Sequence, residues 1–366
     1  MKVAIVHYWL VNMRGGEKVI EVLCELFPQA DIFTHVYNPE GISDTIKKHP
    51  VHTTFIQKLP NARRNYQKYL PLMPVALEQL DLRDYDLVIS SESGPAKGVL
   101  IDPDALHVCY CHTPMRYVWD MYFDYRRGAG RITRWIMPPL IHYLRLWDQA
   151  TAARVDRFIA NSHHVAKRIQ KHYRRHADVI APPVETTAFT PADEVGDFYL
   201  MVGQLVRYKR VDIAIEAFNR LQKKLIIIGQ GEELEALREK AGPTVELLGR
   251  QPFDTIRDRF ARCRALIFPG EEDFGIVPLE AMASGRPVLA FRKGGALETV
   301  VEHQTGLFFD EQTPESLIDA VKQFEANSDR FIPEAIVEHA RQFDRAIFKQ
   351  RMHDTITAWL QESQSS

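Results

Sequence analysis

Short apolar runs rich in Val, Ile and Leu recur along the chain, and each is followed by a polar turn and then an amphipathic stretch. In the first half the runs are Val3–His7, 31–36, 87–91, 107–111 and 157–161. Strands that alternate with helices must return across the face of their sheet, which makes the sheet parallel and covers it on both sides. The pattern stops once, at the Thr-, Pro- and acid-rich segment 186–196, and restarts with runs at 198–202, 224–229, 245–249, 265–269 and 287–291. We therefore expect an α/β chain of two doubly wound domains, residues 1–185 and 190–345, joined by a linker, with ligands in a cleft beyond the strand ends. Ile347, Phe348, Met352, Ile356 and Leu360 recur close to helical spacing, which predicts a C-terminal helix over 346–362 that packs back on the first domain. The low-complexity end, 361–366, is expected to fray.

The chain has 366 residues and a formal net charge of −2, which does not point to nucleic acid. The charge is uneven: residues 1–176 hold 24 Lys+Arg against 17 Asp+Glu, so the basic half and the acidic half face different surroundings. No run approaches the roughly 18 uncharged apolar residues of a membrane span; the best, 135–147, contains Pro138, Pro139 and Arg145. The first run holds His7 and lacks a cleavage site, so a cytoplasmic protein, or one peripheral on the inner face of the membrane, is expected. Four cysteines are too few for a disulfide scaffold. Cys109, Cys111 and His112 have no matching second pair and read as core packing rather than zinc. Gly229 and Gly231 begin a dinucleotide fingerprint, but Leu234 occupies its third position, and neither a P-loop nor a G-x-S-x-G elbow occurs.

Three segments carry candidate chemistry. Asp84 and Asp86 have the spacing of a divalent-metal pair, although they run straight into a strand, where capping and solvation are the simpler role. After the strand ending at Gly203, Arg207, Lys209 and Arg210 precede a helix; this suits a multiply charged anion such as a diphosphate, or equally a solvated basic loop. After the strand at 265–268, Glu271, Glu272 and Asp273 precede Phe274 and Gly275, and a helix starts near Ile276. Gly275 lets backbone amides approach a ligand, and the helix start favours phosphate. Glu280 lies on an otherwise apolar helix, where a carboxylate is costly without donors, and a ribose diol supplies two. One nucleotide sugar would satisfy the cations, the helix start and both acids.

Glu272 and Glu280, eight positions apart and followed by Ala281-Met-Ala-Ser-Gly-Arg-Pro287, resemble the signature of the retaining glycosyltransferases of family 4. The resemblance implies a GT-B fold, two Rossmann-like domains with an interdomain cleft. It implies a hexosyltransferase that retains configuration and needs neither metal nor cofactor, the nucleotide sugar being a co-substrate. Glu272 would contact sugar hydroxyls, Glu280 the ribose, and the amides of Phe274, Gly275, Ile276 and Val277 the sugar and phosphates. Lys209 matches the lysine that neutralises the diphosphate. Gln204 stands where the family commonly has arginine, and Arg207 is the candidate replacement. Gly15 and Gly16 match the glycine-rich loop after the first strand. His112 matches a histidine near the transferred sugar, or else is a histidine bonded within the core. Arg250 lies near the base or is an ordinary surface arginine.

The segments 112–117 and 208–212 are most similar to mannosyltransferases of bacterial surface polysaccharides such as O-antigen, which implies GDP-mannose as donor and a lipid-linked or oligosaccharide acceptor. A UDP-sugar donor, a nucleotide-sugar epimerase of the same fold and a non-catalytic scaffold are the alternatives. Residues 59–80 and 114–147 mix Arg, including Arg126, Arg127, Arg131 and Arg134, with aromatic and aliphatic residues. Such a mixture suits an anionic lipid surface, or amphipathic helices that merely cover a sheet.

Overall fold

The computed structural model describes residues 1–364. The chain forms two units, Met1–Pro183 together with the chain from Phe348 onward, and Val184–Ile347.

The first unit is built on seven parallel strands: β1 (Val3–His7), β2 (Asp31–Thr34), β3 (Val51–Thr53), β4 (Leu87–Glu92), β5 (Leu106–Cys111), β6 (Arg157–Ala160) and β7 (Asp178–Val179), in the order β3-β2-β1-β4-β5-β6-β7. The strands β1, β4 and β5 are buried at every position, as strands covered on both faces must be. Side chains of a strand alternate between faces. Val3 and Ile5 therefore pack with Val19, Ile20 and Leu23 of helix α1 (Gly15–Leu26), while Ala4 and Val6 pack with Leu144 and Trp147 of helix α2 (Arg131–Thr151). The edge strand β3 has no apolar run in the sequence, because its residues are only partly covered.

The C-terminal helix spans Arg345–Gln364, and its Phe348, Met352, Ile356 and Trp359 enter the α1 face of the first unit's core. Ser365 and Ser366, part of the end expected to fray, lie outside the described residues. Helix α2 runs unbroken through Pro138 and Pro139. Each proline leaves a carbonyl four residues earlier without its helical partner. Those carbonyls belong to Arg134 and Trp135, both exposed residues, so the gap lies on a part of the helix open to solvent. The buried positions of α2 begin beyond the prolines, at Ile141.

A closed ionic cluster ties α2 to the sheet. Lys97 is wholly buried, with its Nζ 2.6 Å from Glu92 Oε1 and also paired with Asp148 of α2. Asp148 Oδ2 further accepts from Trp119 Nε1 at 2.7 Å and from the Tyr173 hydroxyl at 2.9 Å. Burial opposes the ammonium charge, but Asp148 and Glu92 outweigh it and hold the lysine above its ordinary range.

The second unit carries six parallel strands: β8 (Tyr199–Val202), β9 (Leu225–Ile228), β10 (Val245–Gly249), β11 (Leu266–Phe268), β12 (Val288–Phe291) and β13 (Gly306–Phe309), in the order β10-β9-β8-β11-β12-β13. The polar segment 186–196, expected as a linker, is part of this unit. Thr186 is buried with its hydroxyl on Asp344, Phe189 packs 5.8 Å from the Phe260 ring, and Gly196 N donates to Arg262 O at 2.7 Å. Hydrophilic composition hid these anchors, because the segment docks through a few residues rather than a periodic face.

Removing one member of a closed buried ion cluster strands the others. Asp148→Ala should therefore cost about 3–5 kcal/mol in urea unfolding, with loss of the Trp119 and Tyr173 hydrogen bonds. A cost below about 1 kcal/mol would place the cluster among exposed pairs and contradict its burial.

Candidate functional site

In each unit the chain winds outward from one strand, then crosses back to start again on its other side. The reversals fall between β1 and β4 and between β8 and β11. Loops leaving such neighbouring strands diverge, and the space between them takes the ligand.

In the second unit the β8 loop contains Gly203, exposed Gln204 and the single turn Arg207–Lys209. The β11 loop runs through Gly270 and the three acids to Gly275, which caps helix α3 (Ile276–Ala283) at φ 90°. The two loops touch through backbone: a Cβ on Gly270 would lie 2.9 Å from Lys209 Cα and 3.1 Å from Tyr208 O. The Lys209 ammonium is ion-paired with the Glu272 carboxylate across this contact. A small cavity beside the pair is lined by Val202, Gly203, Gln204 and Pro269. Of the three cations expected here, Lys209 thus faces an acid of the site. Arg210 turns to Asp212, 3.1 Å away, and Arg207 extends into solvent.

Sequence reasoning missed the loop that supports this site. After β12, Gly295 N donates to Glu272 O at 2.8 Å, and Lys293 Nζ lies 3.0 Å from Glu271 Oε2. Any side chain on Gly294 would strike the Glu272 carbonyl, and one on Gly295 the Phe274 backbone. The paired glycines, two charged residues beyond an apolar run, were the available signal. Phe274 is buried and packs 5.9 Å from the Phe343 ring, which anchors the end of the acidic loop.

The two acids of the signature differ in state. Glu272 is paired with Lys209, whereas among the described residues no hydrogen-bond partner or ion pair is found for the Glu280 carboxyl. Glu280 is half-buried between buried Leu279 and Ala281, and burial pushes its carboxyl up to about 7. Arg250 is not drawn into this group. It is exposed beyond β10, the outermost strand, with β9 between it and β8.

In the first unit, His7 at the end of β1 pairs in register with Ser91 of β4. His7 Nδ1 lies 3.1 Å from Ser91 Oγ, and Ser91 Oγ lies 2.8 Å from His112 Nε2. The backbone of His112 is held by its N–H to Glu92 O at 2.8 Å and by Asn161 Nδ2 donating to its carbonyl at 2.9 Å. Burial, with His7 adding in the same direction, pushes the His112 imidazole down to about 3, so it is neutral at physiological pH. Gly15 and Gly16 open α1 beside this group: a Cβ on Gly16 would lie 2.8 Å from the Tyr8 hydroxyl and 3.6 Å from His112 Nε2. The structure therefore brings Gly16 and His112 together, and adds His7, Ser91 and Glu17, none of which stands out in the sequence.

Asp84 and Asp86 lie elsewhere. They precede β4, at the amino ends of the strands, where Asp86 Oδ2 accepts from Lys2 N at 2.6 Å and Asp84 lies 4.0 Å from Lys2 Nζ. Cys109 and Cys111 pack with Phe158 and Val165 in an apolar cluster. Among the described residues, no helix is long and apolar enough to cross a membrane. The helix Tyr122–Gly128 and the first half of α2 expose Phe123, Ile132, Trp135 and Ile136 beside Arg127, Arg131 and Arg134.

Two family models match the chain: Glycosyltransferase Family 4 over residues 13–188 and Glycosyl transferases group 1 over residues 185–346. An uncharacterized glycosyltransferase, MJ1178 of Methanocaldococcus jannaschii, is 28% identical over 52% of this chain and 55% of its own. A D-inositol 3-phosphate glycosyltransferase of Arthrobacter sp. is 30% identical over 46% of this chain and 45% of its own. The chain thus spans about half the length of these curated relatives. Among solved structures, Anabaena Alr3699/HepE in complex with UDP and glucose aligns at a TM-score of 0.71, with 16% identity over 98% of this chain and 99% of that one. WaaG, a glycosyltransferase involved in lipopolysaccharide biosynthesis, aligns at 0.68 with 19% identity, covering 98% of this chain and 100% of that one. With both units matched in turn and the fold shared along the chain, the protein belongs to the GT-B glycosyltransferases of the group 1 and family 4 type.

Proposed function

We propose that the chain transfers a hexose from a nucleoside-diphosphate sugar to an acceptor hydroxyl with retention of configuration and without a metal. The observation that carries this reading is the asymmetry of the two acids, one holding the lysine and the other left without a partner among the described residues. A diphosphate arriving at Lys209 substitutes one anion for another and releases Glu272, whose oxygens then accept hydrogen bonds from sugar hydroxyls. Glu280 receives the ribose diol, whose two donors stabilise the carboxylate that burial alone disfavours. In the transfer, the bond from the anomeric carbon to the diphosphate breaks with its electron pair on the departing phosphate oxygen. The acceptor oxygen bonds to the same face of that carbon, and its proton passes to the departing phosphate. Lys209, with Arg207 and the amides that begin α3 at Ile276 and Val277, stabilises the charge that develops on the leaving group. Glu272 orients the sugar, and a contact of His112 with the transferred sugar rests on the family resemblance alone.

Mannose from GDP-mannose is the donor favoured by the resemblance of segments 112–117 and 208–212 to mannosyltransferases. A UDP-sugar is the second reading, supported by the UDP and glucose held by the Anabaena protein of the same fold. The acceptor surface we assign is the arginine-rich, exposed apolar face of helix Tyr122–Gly128 and α2, which suits an anionic lipid-linked acceptor at the inner face of the membrane.

The reading is tested at each part. Lys209→Ala and Glu272→Ala should each lower kcat by about 100-fold or more, the usual cost of removing one stabilising contact from a charge-developing site; transfer left intact by both sinks the mechanism, and chelator-sensitive transfer sinks metal independence. In a thermal-shift panel of GDP, UDP, ADP and CMP, the nucleotide of the true donor should raise Tm most. Binding should release a proton near pH 7, seen as buffer-dependent heat, because the Glu280 carboxyl is pushed up to about 7 when empty and ionises under the diol. A raised carboxyl stabilises the fold below the ordinary carboxylate range and loses that contribution as pH climbs to about 7. Glu280→Gln should therefore raise Tm of the empty protein more at pH 8 than at pH 5, while weakening nucleotide binding. In vesicle flotation, binding should require anionic lipid and fail on joint charge reversal of Arg126, Arg127, Arg131 and Arg134; unchanged flotation would remove the lipid surface from the proposal.

A further inference from the structure

Lys209 and Glu272 meet because their backbones are held together, not only because two side chains reach for each other. Gly270 packs so closely on the β8 loop that a Cβ there would lie 2.9 Å from Lys209 Cα. The Glu272 carbonyl accepts from Gly295 N at 2.8 Å, and a Cβ on Gly294 would lie 2.4 Å from it. Between these fixed points the ammonium meets the carboxylate, with the two side chains only 13% and 18% exposed. Among the described residues, Lys209 is the partner found for the Glu272 carboxylate. The neighbourhood adds no excess of positive charge. Arg207, Lys209 and Arg210 are set against Asp212, Glu271, Glu272 and Asp273, and the side chain of Gln204 is neutral. Arg210 lies on Asp212, and the one further cation of the group, Lys293, lies on Glu271.

A bare diphosphate that comes to Lys209 meets this carboxylate in one of two ways, and both are unfavourable. If the ammonium turns wholly to the phosphate, Glu272 is stranded where water reaches it poorly. If the ammonium is shared, phosphate and carboxylate sit on one cation, and two anions repel where screening is incomplete. An attached sugar changes both cases. Its hydroxyls donate to the carboxylate and replace what Glu272 gives up. Its ester also removes the second ionisation of the terminal phosphate, so the intact donor brings less negative charge than the diphosphate left behind. Base and ribose are common to donor and product, so the difference between the two falls on the sugar and on this pair.

We infer that the pair of Lys209 and Glu272 selects the intact nucleotide sugar over the nucleoside diphosphate left after transfer, and re-forms as that product leaves. Glu272 thus acts twice. Before transfer it receives the sugar hydroxyls; once the sugar has passed to the acceptor, those donors withdraw and the carboxylate competes with the product for Lys209. A site built from cations alone would do the opposite and hold the more highly charged product longer. The identity of donor and product rests on the function proposed above, while the competition between Glu272 and an arriving anion does not.

The competition is measured with inorganic pyrophosphate, titrated calorimetrically into the full chain at pH 8 and low ionic strength. Glu272→Gln, which keeps the size of the side chain, should bind pyrophosphate about tenfold tighter than the native protein, the effect of removing one like charge at a partly screened site. The gain should vanish in the double variant Lys209→Gln with Glu272→Gln, and should shrink in high salt. Pyrophosphate held equally by the native protein and by a Glu272→Gln variant that retains its Tm, or by neither, overturns the inference. So does a gain that survives in the double variant. The native protein supplies a second test that needs no variant. In thermal shifts at equal concentration, GDP-mannose should raise Tm more than GDP, or UDP-glucose more than UDP, for the nucleotide that binds. A nucleoside diphosphate that outdoes its own sugar ester overturns the selection. A tenfold gain for pyrophosphate in a protein that binds no nucleotide sugar refutes the proposed function and leaves the competition at Lys209 standing.

Discussion

A parallel strand can be followed by another parallel strand only if the chain returns over the face of the sheet, and this requirement places every strand exit on one edge. In both units the winding reverses once, so two neighbouring exits diverge there. The site residues of the second unit come from the loops after β8 and β11, and those of the first from the ends of β1 and β4 with the residue that follows β5. Glycines make the arrangement possible at the closest points. Gly270 admits the Lys209 backbone, and Gly294, at φ 69°, admits the Glu272 carbonyl. Glu272 reaches its lysine because three loops, not one, have been brought within van der Waals distance.

Charge is handled in three ways in the same molecule. The Lys97 cluster is closed: each buried ion has partners, and the sum holds a helix to a sheet. The Lys209 and Glu272 pair is partly open to solvent, each side chain retaining some exposure, so a stronger anion can compete for the cation. Glu280 has no counter-charge among the described residues and shifts toward its neutral form. Under the function proposed above, closed, exchangeable and unsatisfied charges would correspond to scaffold, anion site and hydroxyl site. The cost of the last is a loss of stability in the empty protein that ligand donors offset on binding.

The architecture was legible because it rests on periodicity. Nine of the ten runs read from the sequence became strands with each end within one residue of the run, and the tenth, 31–36, lost its last two. What went unread was short or only partly covered: β3, β7, the glycine-led β13 and the two-residue pair Asp81–Leu82 with Leu100–Ile101. The segment 186–196 was misread as a linker because its attachment depends on single residues, Thr186 and Phe189, that carry no periodic signal. Among candidate residues, the sequence singled out those that stand in contiguous motifs, Lys209, Glu272, Gly275 and Glu280. Glu17, His7 and Ser91 were invisible because their meaning depends on strand register and on a helix that starts eight residues after β1 ends.

By itself the sequence determined the two doubly wound units, the strand exits and the chemical types gathered at them, since hydrophobic period and local turn chemistry act over a few residues. Only the tertiary structure decided which of those groups are already paired. It placed Glu272 on Lys209 and Arg210 on Asp212, left Glu280 without a partner among the described residues, and set Asp84 and Asp86 at the opposite ends of the strands from His7 and Ser91. Pairing depends on which loops meet in space, and that contact is made between residues as far apart in the chain as 209 and 272.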